Sequence, residues 1–450
     1  MTANMKKRIV GVATSLTLIM AVTFAARVWY AWSQVRQMPP DLVGLVPFAN
    51  ETGNIAYSLA QGRGFGSPFL QQTGPTAWLT PVYPAMVAGV FKVFGIRTAH
   101  AFYAVVTLNI IFSTVTCVPI FAVGQRLGGL AVAATAAWMW ALLPNGIIIP
   151  YQWVWDTSLS ALLATCLVWA TLSVARASRL RYWCGYGLLW GFAMMTNPSL
   201  GATLPFLLVW AMMTIQGVTI DSNVRRIAVG VSALRLRNAA VAAGFVALCC
   251  VPWTVRNYRA FHTWVPLRST LPLQLWLGNN EVYDPHTTAR VAANPEREDM
   301  RRYFREGEVA FMRSKGAEAQ EFIGRHPGLY AELSVRRLAA FWTGLEHPWL
   351  GFWETESWVV RVVVATNFFT AVTALAGVFI LRRRRDAAWW MLGSWVVIFP
   401  VIYYLTRTLL RYRHPLDPVI VLLSAVAMAC AFGRIEIENG VGNKAVTSDS

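Results

Sequence analysis

Two acidic residues, Glu51 and Asp156, occupy polar segments beside long apolar runs. Glu51 lies in ANETGNIAYSLAQGRGF, residues 49–65, and Asp156 lies in WDTSLSALL. Two carboxylates brought together from separate loops can serve as a general base and its positioning partner. A structural role is also open to each, because aspartate is a good helix N-cap and a glutamate in a first turn is stabilised by the helix dipole. The sequence therefore predicts either a two-carboxylate site or two helix starts.

Arginines form the second group of candidate residues. Arg407, Arg411 and Arg413 crowd the short loop TRTLLRYRHPLDP, and Arg256 lies in PWTVRNY. In the topology derived below these segments are extracytoplasmic, where cations in short loops oppose the usual charge bias. Lipid headgroups in general would explain them. A specific phosphate would also explain them, because the planar guanidinium suits bidentate phosphate contacts. We expect Arg256, Arg411 and Arg413 to bind a lipid phosphate.

The elements that must position these side chains are apolar helices. The 450 residues are 56% hydrophobic and 14% charged, and a spanning helix needs about 20 mostly apolar residues. Five runs meet this requirement: 9–32, 101–123, 157–175, 358–381 and 387–405. The chain is therefore predicted to be an all-α polytopic membrane protein. Its formal charge of +17 indicates basic loops that face anionic lipid, with no nucleic-acid partner.

The distribution of basic residues orients the chain. Basic clusters at 6–8, 126, 176–181, 225–237 and 382–385 all fall in the cytoplasm only if residues 82–96 do not cross. We expect that segment to lie along the outer surface as a short amphipathic helix. About ten crossings follow, with both ends in the cytoplasm: 9–32, 101–123, 128–148, 157–175, 182–197, 199–215, 238–253, 357–381, 387–405 and 416–433.

This topology divides the chain into four parts. Residues 1–253 are predicted to form an N-terminal transmembrane catalytic module that includes the outer loop 33–95. Residues 254–356 form a small extracytoplasmic segment with helical patterning at 297–315 and 330–342. Residues 357–433 form the C-terminal transmembrane helices, and 434–450 a disordered cytoplasmic tail. The six cysteines show no metal-binding spacing and are expected to be small core residues.

In its layout the sequence is similar to the membrane glycosyltransferases of the GT-C fold, in the group that contains protein O-mannosyltransferases and lipid A aminoarabinose transferases. The matching pieces, in order, are IAYSLAQGRGF, TPVYP with VFKVFG, VWDTSLSALL, LLWGFAMMTNPS, PWTVRNY with GNN, and RYRHPLDP. The similarity extends from Glu51 to about Ala425.

The resemblance implies a reaction and a set of binding residues. A sugar would pass from a polyprenyl-phosphate carrier to an acceptor hydroxyl on the extracytoplasmic side, with inversion, and Glu51 would be the candidate base with Asp156 beside it. The sugar and acceptor would contact Asn50, which directly precedes Glu51, and residues in the matching pieces: Tyr83, Asn257, Asn279, Asn280, Tyr412 and His414.

Partners and location follow from the same interpretation. We expect a polyprenyl-phosphate sugar donor, membrane lipids, and an acceptor glycan, lipid or protein, in the inner (cytoplasmic) membrane with the site facing outward. No cofactor is required; a divalent metal is compatible with the chemistry but has no supporting motif. A secondary transporter or flippase for lipid-linked or small anionic substrates is the alternative, although transporters place ionisable residues near the membrane midplane in repeated halves. A third hypothesis is that the chain is an inactive scaffold in envelope assembly.

Overall fold

The computed structural model describes residues 14–152, 154–213, 232–280, 298–345 and 357–433. Within these ranges the chain is made of helices and loops, with one isolated bridge pair between Gly66 and Pro75. The first helices are α1 Leu16–Val35, α2 Glu51–Ala60, α3 Val82–Phe94, α4 Ala99–Val115, α5 Cys117–Leu142, α6 Pro144–Gln152, α7 Thr157–Val174, α8 Leu180–Thr196, α9 Leu204–Met213 and α10 Ala233–Phe261. The later helices are α11 Leu271–Gly278, α12 Glu298–Glu306, α13 Glu308–Arg325, α14 Pro327–Thr343, α15 Trp358–Arg383, α16 Ala388–Ile398, α17 Val401–Leu405, α18 Leu410–Arg413 and α19 Asp417–Ala431.

Seven helical segments of the described residues are long and apolar enough to cross a membrane. They are Leu16–Val35, Ala99–Leu142, Thr157–Val174, Ala233–Phe261, Trp358–Arg383, Ala388–Leu405 and Leu410–Ala431. The fold is thus all-helical and multi-pass, as the composition predicted.

The segment Ala99–Leu142 has 44 residues, enough for two of the predicted crossings. The chain reverses inside it, because Gly129 adopts φ 70°, a conformation that glycine tolerates without strain. Beyond the turn the two halves of α5 pack closely, since a Cβ on Gly124 would lie 2.6 Å from the Cα of Ala133.

The remaining predicted crossings also coincide with helices. Those at 182–197 and 199–215 correspond to α8, which has 17 residues, and to the shorter apolar stretch Pro198–Met213. Helix α3 has 13 residues, or about 20 Å at 1.5 Å per residue, which is too short to span. One face of α3 is buried in the core, and Val93 and Phe94 at its end are exposed.

Three of the predicted cytoplasmic clusters meet at one end of the helix bundle, which we call the basic end. Arg126 Nη1 donates to Ser173 Oγ at 3.2 Å, and Arg235 Nη2 donates to the Ala175 carbonyl at 3.3 Å. Arg384 Nη1 donates to the Leu127 carbonyl at 3.2 Å. Part of the cluster at 225–237 lies outside the described residues. The convergence of the others fits the predicted topology.

Asp156 marks the opposite end of the bundle. It directly precedes α7, whose last turn reaches the basic end at Ser173. The 18 residues of α7 separate the two ends by about 27 Å. Any chemistry at Asp156 is therefore far from the basic end.

A second, smaller core lies under the segment between α10 and α15. Trp78 and Leu79 of the first long loop pack there with Leu273 and Leu277 of α11 and with Tyr303 of α12. Helices α12, α13 and α14 agree with the helical patterning read at 297–315 and 330–342. This core joins the early loop to the later helices.

Candidate functional site

Asp156 does not cap the helix that follows it. It occupies the N-cap position of α7, yet its side chain forms no capping hydrogen bond with a backbone N–H. Instead, Ser160 Oγ donates to Asp156 Oδ2 at 2.8 Å, and Asn197 Nδ2 donates to Ser160 Oγ at 3.3 Å. The capping role that the sequence left open is not realised, and the carboxylate belongs to a polar cluster.

Two arginines act on this carboxylate. Burial raises the pKa of Asp156, while the Ser160 hydrogen bond and then the charges of Arg268 and Arg411 lower it. Arg268 is held by its Nε, which donates to the Trp78 carbonyl at 3.1 Å. The guanidinium of Arg411 lies 4.3 Å from the ring centroid of Trp155. A carboxylate beside two cations can take a proton next to a bound anion.

Glu51 is the first residue of α2, so its carboxylate also lies where the helix dipole favours negative charge. Asn50 supplies the cap: its Oδ1 accepts from Gly53 N at 2.9 Å and its Nδ2 donates to the Pro47 carbonyl at 2.9 Å. One turn after Glu51, Ile55 belongs to the second core, against which Trp155 packs. The elements that carry the two acids are therefore joined by one apolar cluster.

Arg256 is turned toward protein carbonyls. Its Nη1 donates to the Thr76 carbonyl at 2.7 Å and to Asn257 Oδ1 at 3.0 Å, and its Nη2 donates to the Phe65 carbonyl. These contacts fix the loop that precedes α3. The phosphate role expected for Arg256 would require these bonds to be exchanged.

Arg413 and His414 lie in the bundle interior, which differs from the outward position expected for them. Arg413 is fully buried, with Nη1 3.3 Å from Asp417 Oδ1 and Nη2 donating to Thr370 Oγ1 at 3.0 Å. His414 Nδ1 lies 3.1 Å from Asp417 Oδ2, and its ring stacks on Trp140 at 5.3 Å. Of RYRH, residues 411–414, only Arg411 and Tyr412 are half-exposed.

The other expected sugar or acceptor contacts are mostly used inside the protein. The Tyr83 hydroxyl donates a hydrogen bond to Asn109 Oδ1 at 2.9 Å, and Asn257 Nδ2 donates to the Val265 carbonyl at 3.0 Å. Asn279 accepts from Arg337 Nη2 at 3.1 Å, and Asn280 Nδ2 donates to the Trp276 carbonyl at 2.9 Å. Tyr412 stacks on Tyr403 at 4.9 Å.

The sequence analysis missed Glu308, which anchors the loops around Asp156. Glu308 is 6% exposed, and its Oε1 accepts from Ala77 N at 2.8 Å and from Ser269 Oγ at 2.6 Å. Its Oε2 accepts from Tyr303 OH at 3.0 Å and from Thr76 Oγ1. Glu308 thereby positions the chain on both sides of the Arg268–Trp78 contact.

Arg268 was also missed. The available signal was a basic residue in VPLRST, just before α11. The sequence analysis considered the arginines at 256 and 407–413 and did not consider this one. Ser160 and Asn197 carry no signal of their own, because serine and asparagine are common near helix ends.

The described residues contain no group of three His, Cys, Asp or Glu side chains that could hold a metal ion. Asp156 accepts from the Ser160 hydroxyl and is close to the charges of Arg268 and Arg411, and two cations beside a carboxylate oppose the binding of a divalent metal there. We therefore derive no step through a metal.

No protein-family model matches the sequence, and no curated protein matches it. The architecture is similar to solved structures of the oligosaccharyltransferase of Archaeoglobus fulgidus. The complex with Zn and sulfate has a TM-score of 0.53 and 13% identity over 93% of this chain and 49% of that chain. The form tethered to an acceptor peptide containing the NVT sequon has a TM-score of 0.54 and 12% identity over 93% of this chain and 49% of that chain.

A third structure, AglB from the same organism with an inhibitory peptide and a dolichol-phosphate, gives a TM-score of 0.53 and 14% identity over 95% of this chain and 51% of that chain. The present chain thus spans about half the length of these neighbours. At these identities the likeness establishes a shared fold, and the expected GT-C fold is confirmed. Membership of the mannosyltransferase and aminoarabinose transferase group stays a prediction.

Proposed function

We propose that this chain is a membrane glycosyltransferase that moves a sugar from a polyprenyl-phosphate donor to an acceptor hydroxyl. The observation that carries the proposal is the half-buried Asp156 carboxylate beside Arg268 and Arg411, at the end of the bundle opposite the basic clusters. The shared fold with an oligosaccharyltransferase that has been solved with dolichol-phosphate supports a lipid-linked donor. By the charge bias, this end faces the extracytoplasmic side.

The chemistry is a single displacement at the anomeric carbon. The acceptor oxygen forms a bond to that carbon as the bond to the phosphate oxygen breaks, and the electron pair leaves with the phosphate, so the configuration inverts. A carboxylate takes the acceptor proton, which contributes roughly 10² to 10⁴ in rate. Glu51 is the proposed base and Asp156 the second carboxylate.

The leaving phosphate is assigned to Arg411. The rings of Trp155 and Tyr412 lie 4.3 Å and 5.4 Å from its guanidinium carbon, which keeps the cation beside Asp156. Cations fixed where charge develops stabilise the transition state without reorganisation. Arg413, expected to share this role, is bound to Asp417 and instead holds the turn that carries Arg411.

A panel of polyprenyl-phosphate sugars, offered to the purified full chain in nanodiscs with candidate acceptors, tests the proposal by sugar transfer or release. With the donor identified, Glu51→Gln and Asp156→Asn should keep donor binding and lose at least 100-fold in rate. Near wild-type turnover in Glu51→Gln would remove Glu51 as the base. Arg411→Gln should weaken donor binding about tenfold, whereas Arg407→Gln, in the same loop, is the matched control.

The transporter alternative rests on the buried pair of Arg413 and Asp417, because intramembrane ionisable residues often mark transport pathways. It is distinguished by reconstituting the same full chain in sealed lipid vesicles. Accumulation of an intact donor on the opposite leaflet, with no transfer to any acceptor, would favour transport over glycosyl transfer.

A further inference from the structure

An apolar groove of about 990 Å³ runs along the outside of the bundle. One wall is the second half of α5, from Leu130 to Leu142, with Leu143 after it, and the other includes Phe369 and Thr370 of α15. Phe432, just after α19, lies at one end. No residue of the Asp156 cluster lines this groove, so it is a separate feature.

The groove has the length and the surroundings of a lipid-chain site. From Leu130 to Leu142 the helix rises about 18 Å, compared with about 15 Å for half of the hydrocarbon layer. Leu130, Thr135 and Leu142 are at least partly exposed, on a segment long and apolar enough to cross the membrane. In a bilayer, the molecules that surround such a groove are lipids.

Two cations that are at least partly exposed, Arg126 and Arg384, lie at one end of the groove. Leu130 follows the Gly129 turn at the basic end, three residues after Leu127, whose carbonyl accepts from Arg384. Arg126 is one residue further back and reaches Ser173. Among the described residues, Arg126 and Arg384 form no ion pair with a carboxylate, so their charges are not neutralised within the part of the chain that the structure describes.

We infer that this groove binds an anionic phospholipid, with one acyl chain along α5 and the headgroup beside Arg384 and Arg126. Basic side chains at a membrane surface attract anionic headgroups. The tail of the proposed donor does not fit this orientation, because its phosphate would sit at the Asp156 end, about 27 Å from the basic end. The inference is independent of the proposed reaction.

Native mass spectrometry of the full chain, incubated in detergent with equal amounts of phosphatidylglycerol and phosphatidylcholine, tests the site. Wild type should retain phosphatidylglycerol preferentially. Arg384→Gln should reduce that preference about fivefold, and Thr135→Phe, which fills the groove, should reduce both lipids at least tenfold. Ala131→Phe is the second filling variant, used if Thr135→Phe unfolds.

Two controls match these changes. Arg179→Gln removes an exposed cation at the basic end away from the groove, and Thr107→Phe adds the same ring to an exposed position on α4. Neither should alter retention. Equal retention of the two lipids by wild type, or equal retention by Thr135→Phe and Thr107→Phe, would overturn the inference. It would also be overturned if polyprenyl phosphate displaced phosphatidylglycerol. The same holds if a cysteine placed at Thr135 reacted with a thiol reagent only after residues 1–13 had been deleted.

Discussion

Replacing Glu308 by Gln tests whether this single carboxylate holds the segment between α10 and α15 against the loop that joins α2 to α3. Four donors converge on it: Thr76 Oγ1, Ala77 N, Ser269 Oγ and Tyr303 OH. It is also the first residue of α13, where the helix dipole favours a negative charge. The substitution preserves shape and removes the charge.

The magnitude follows from those contacts. A hydrogen bond to a charged group contributes about 1.5–3 kcal/mol and a neutral one about 0.5–1.5 kcal/mol, so four bonds lose on the order of 4 kcal/mol. Burying a neutral amide costs less desolvation free energy than burying a charged carboxylate, and this difference offsets part of the loss. The glutamine NH₂ also faces Thr76 and Tyr303, whose hydroxyls must turn to accept. We expect local stability to fall by about 2–4 kcal/mol.

Hydrogen–deuterium exchange of the full chain in nanodiscs measures this directly, through peptides from 262–280 and 298–325. A loss of that size speeds exchange about 30-fold or more in both regions, because local opening sets the rate. Glu306→Gln is the control, since Glu306 pairs with Arg302 at 2.9 Å at a partly exposed position and such pairs contribute at most about 1 kcal/mol. Exchange in Glu308→Gln equal to that of the control would refute the reasoning.

Three further outcomes are expected. Because burial raises the pKa of Asp156 while Arg268 lowers it, the acid limb of the transfer rate should move to higher pH in Arg268→Gln; an unmoved limb in the pH–rate profile would contradict the contact. The same raised pKa means that ionising Asp156 costs stability as pH rises through it. Asp417→Asn leaves a buried guanidinium without its charge partner and should lower stability by about 3–5 kcal/mol in thermal unfolding; a melting temperature within a degree of wild type would argue against the pair. Cysteines at Gly66 and Asn294, the latter outside the described residues, should both react with an impermeant reagent from the outside, and labelling of only one would reject the predicted topology.

The helical segments could be predicted closely from the sequence. Length and apolarity alone decide whether a stretch can cross a bilayer, because every backbone group must be satisfied within the segment. Within the described residues each predicted crossing therefore overlaps a helical segment, and the break inside Ala99–Leu142 falls at the glycine pair 128–129. The basic clusters near Arg126, Arg235 and Arg384 were placed together for a similar reason, since the charge bias acts on each loop separately.

The candidate site could be predicted only in part. Asp156 was singled out because an acid beside an apolar run is rare, and that rule needs no partner. The same rule passed over Glu308, which lies among many acids in an outer segment where solvated helical faces are expected. Its burial depends on Thr76 and Ser269, which are distant in the chain.

By itself, the sequence determined the class of the protein, the helices that can cross a membrane and the few charged residues beside them that are candidates for a functional site. Only the tertiary structure decided which of those residues face a site. Arg411 and Arg413 are two positions apart and identical in type, yet one lies against Trp155 and the other is buried against Asp417. A charge gains or loses its role through groups within a few ångströms, and packing brings those groups from distant parts of the chain.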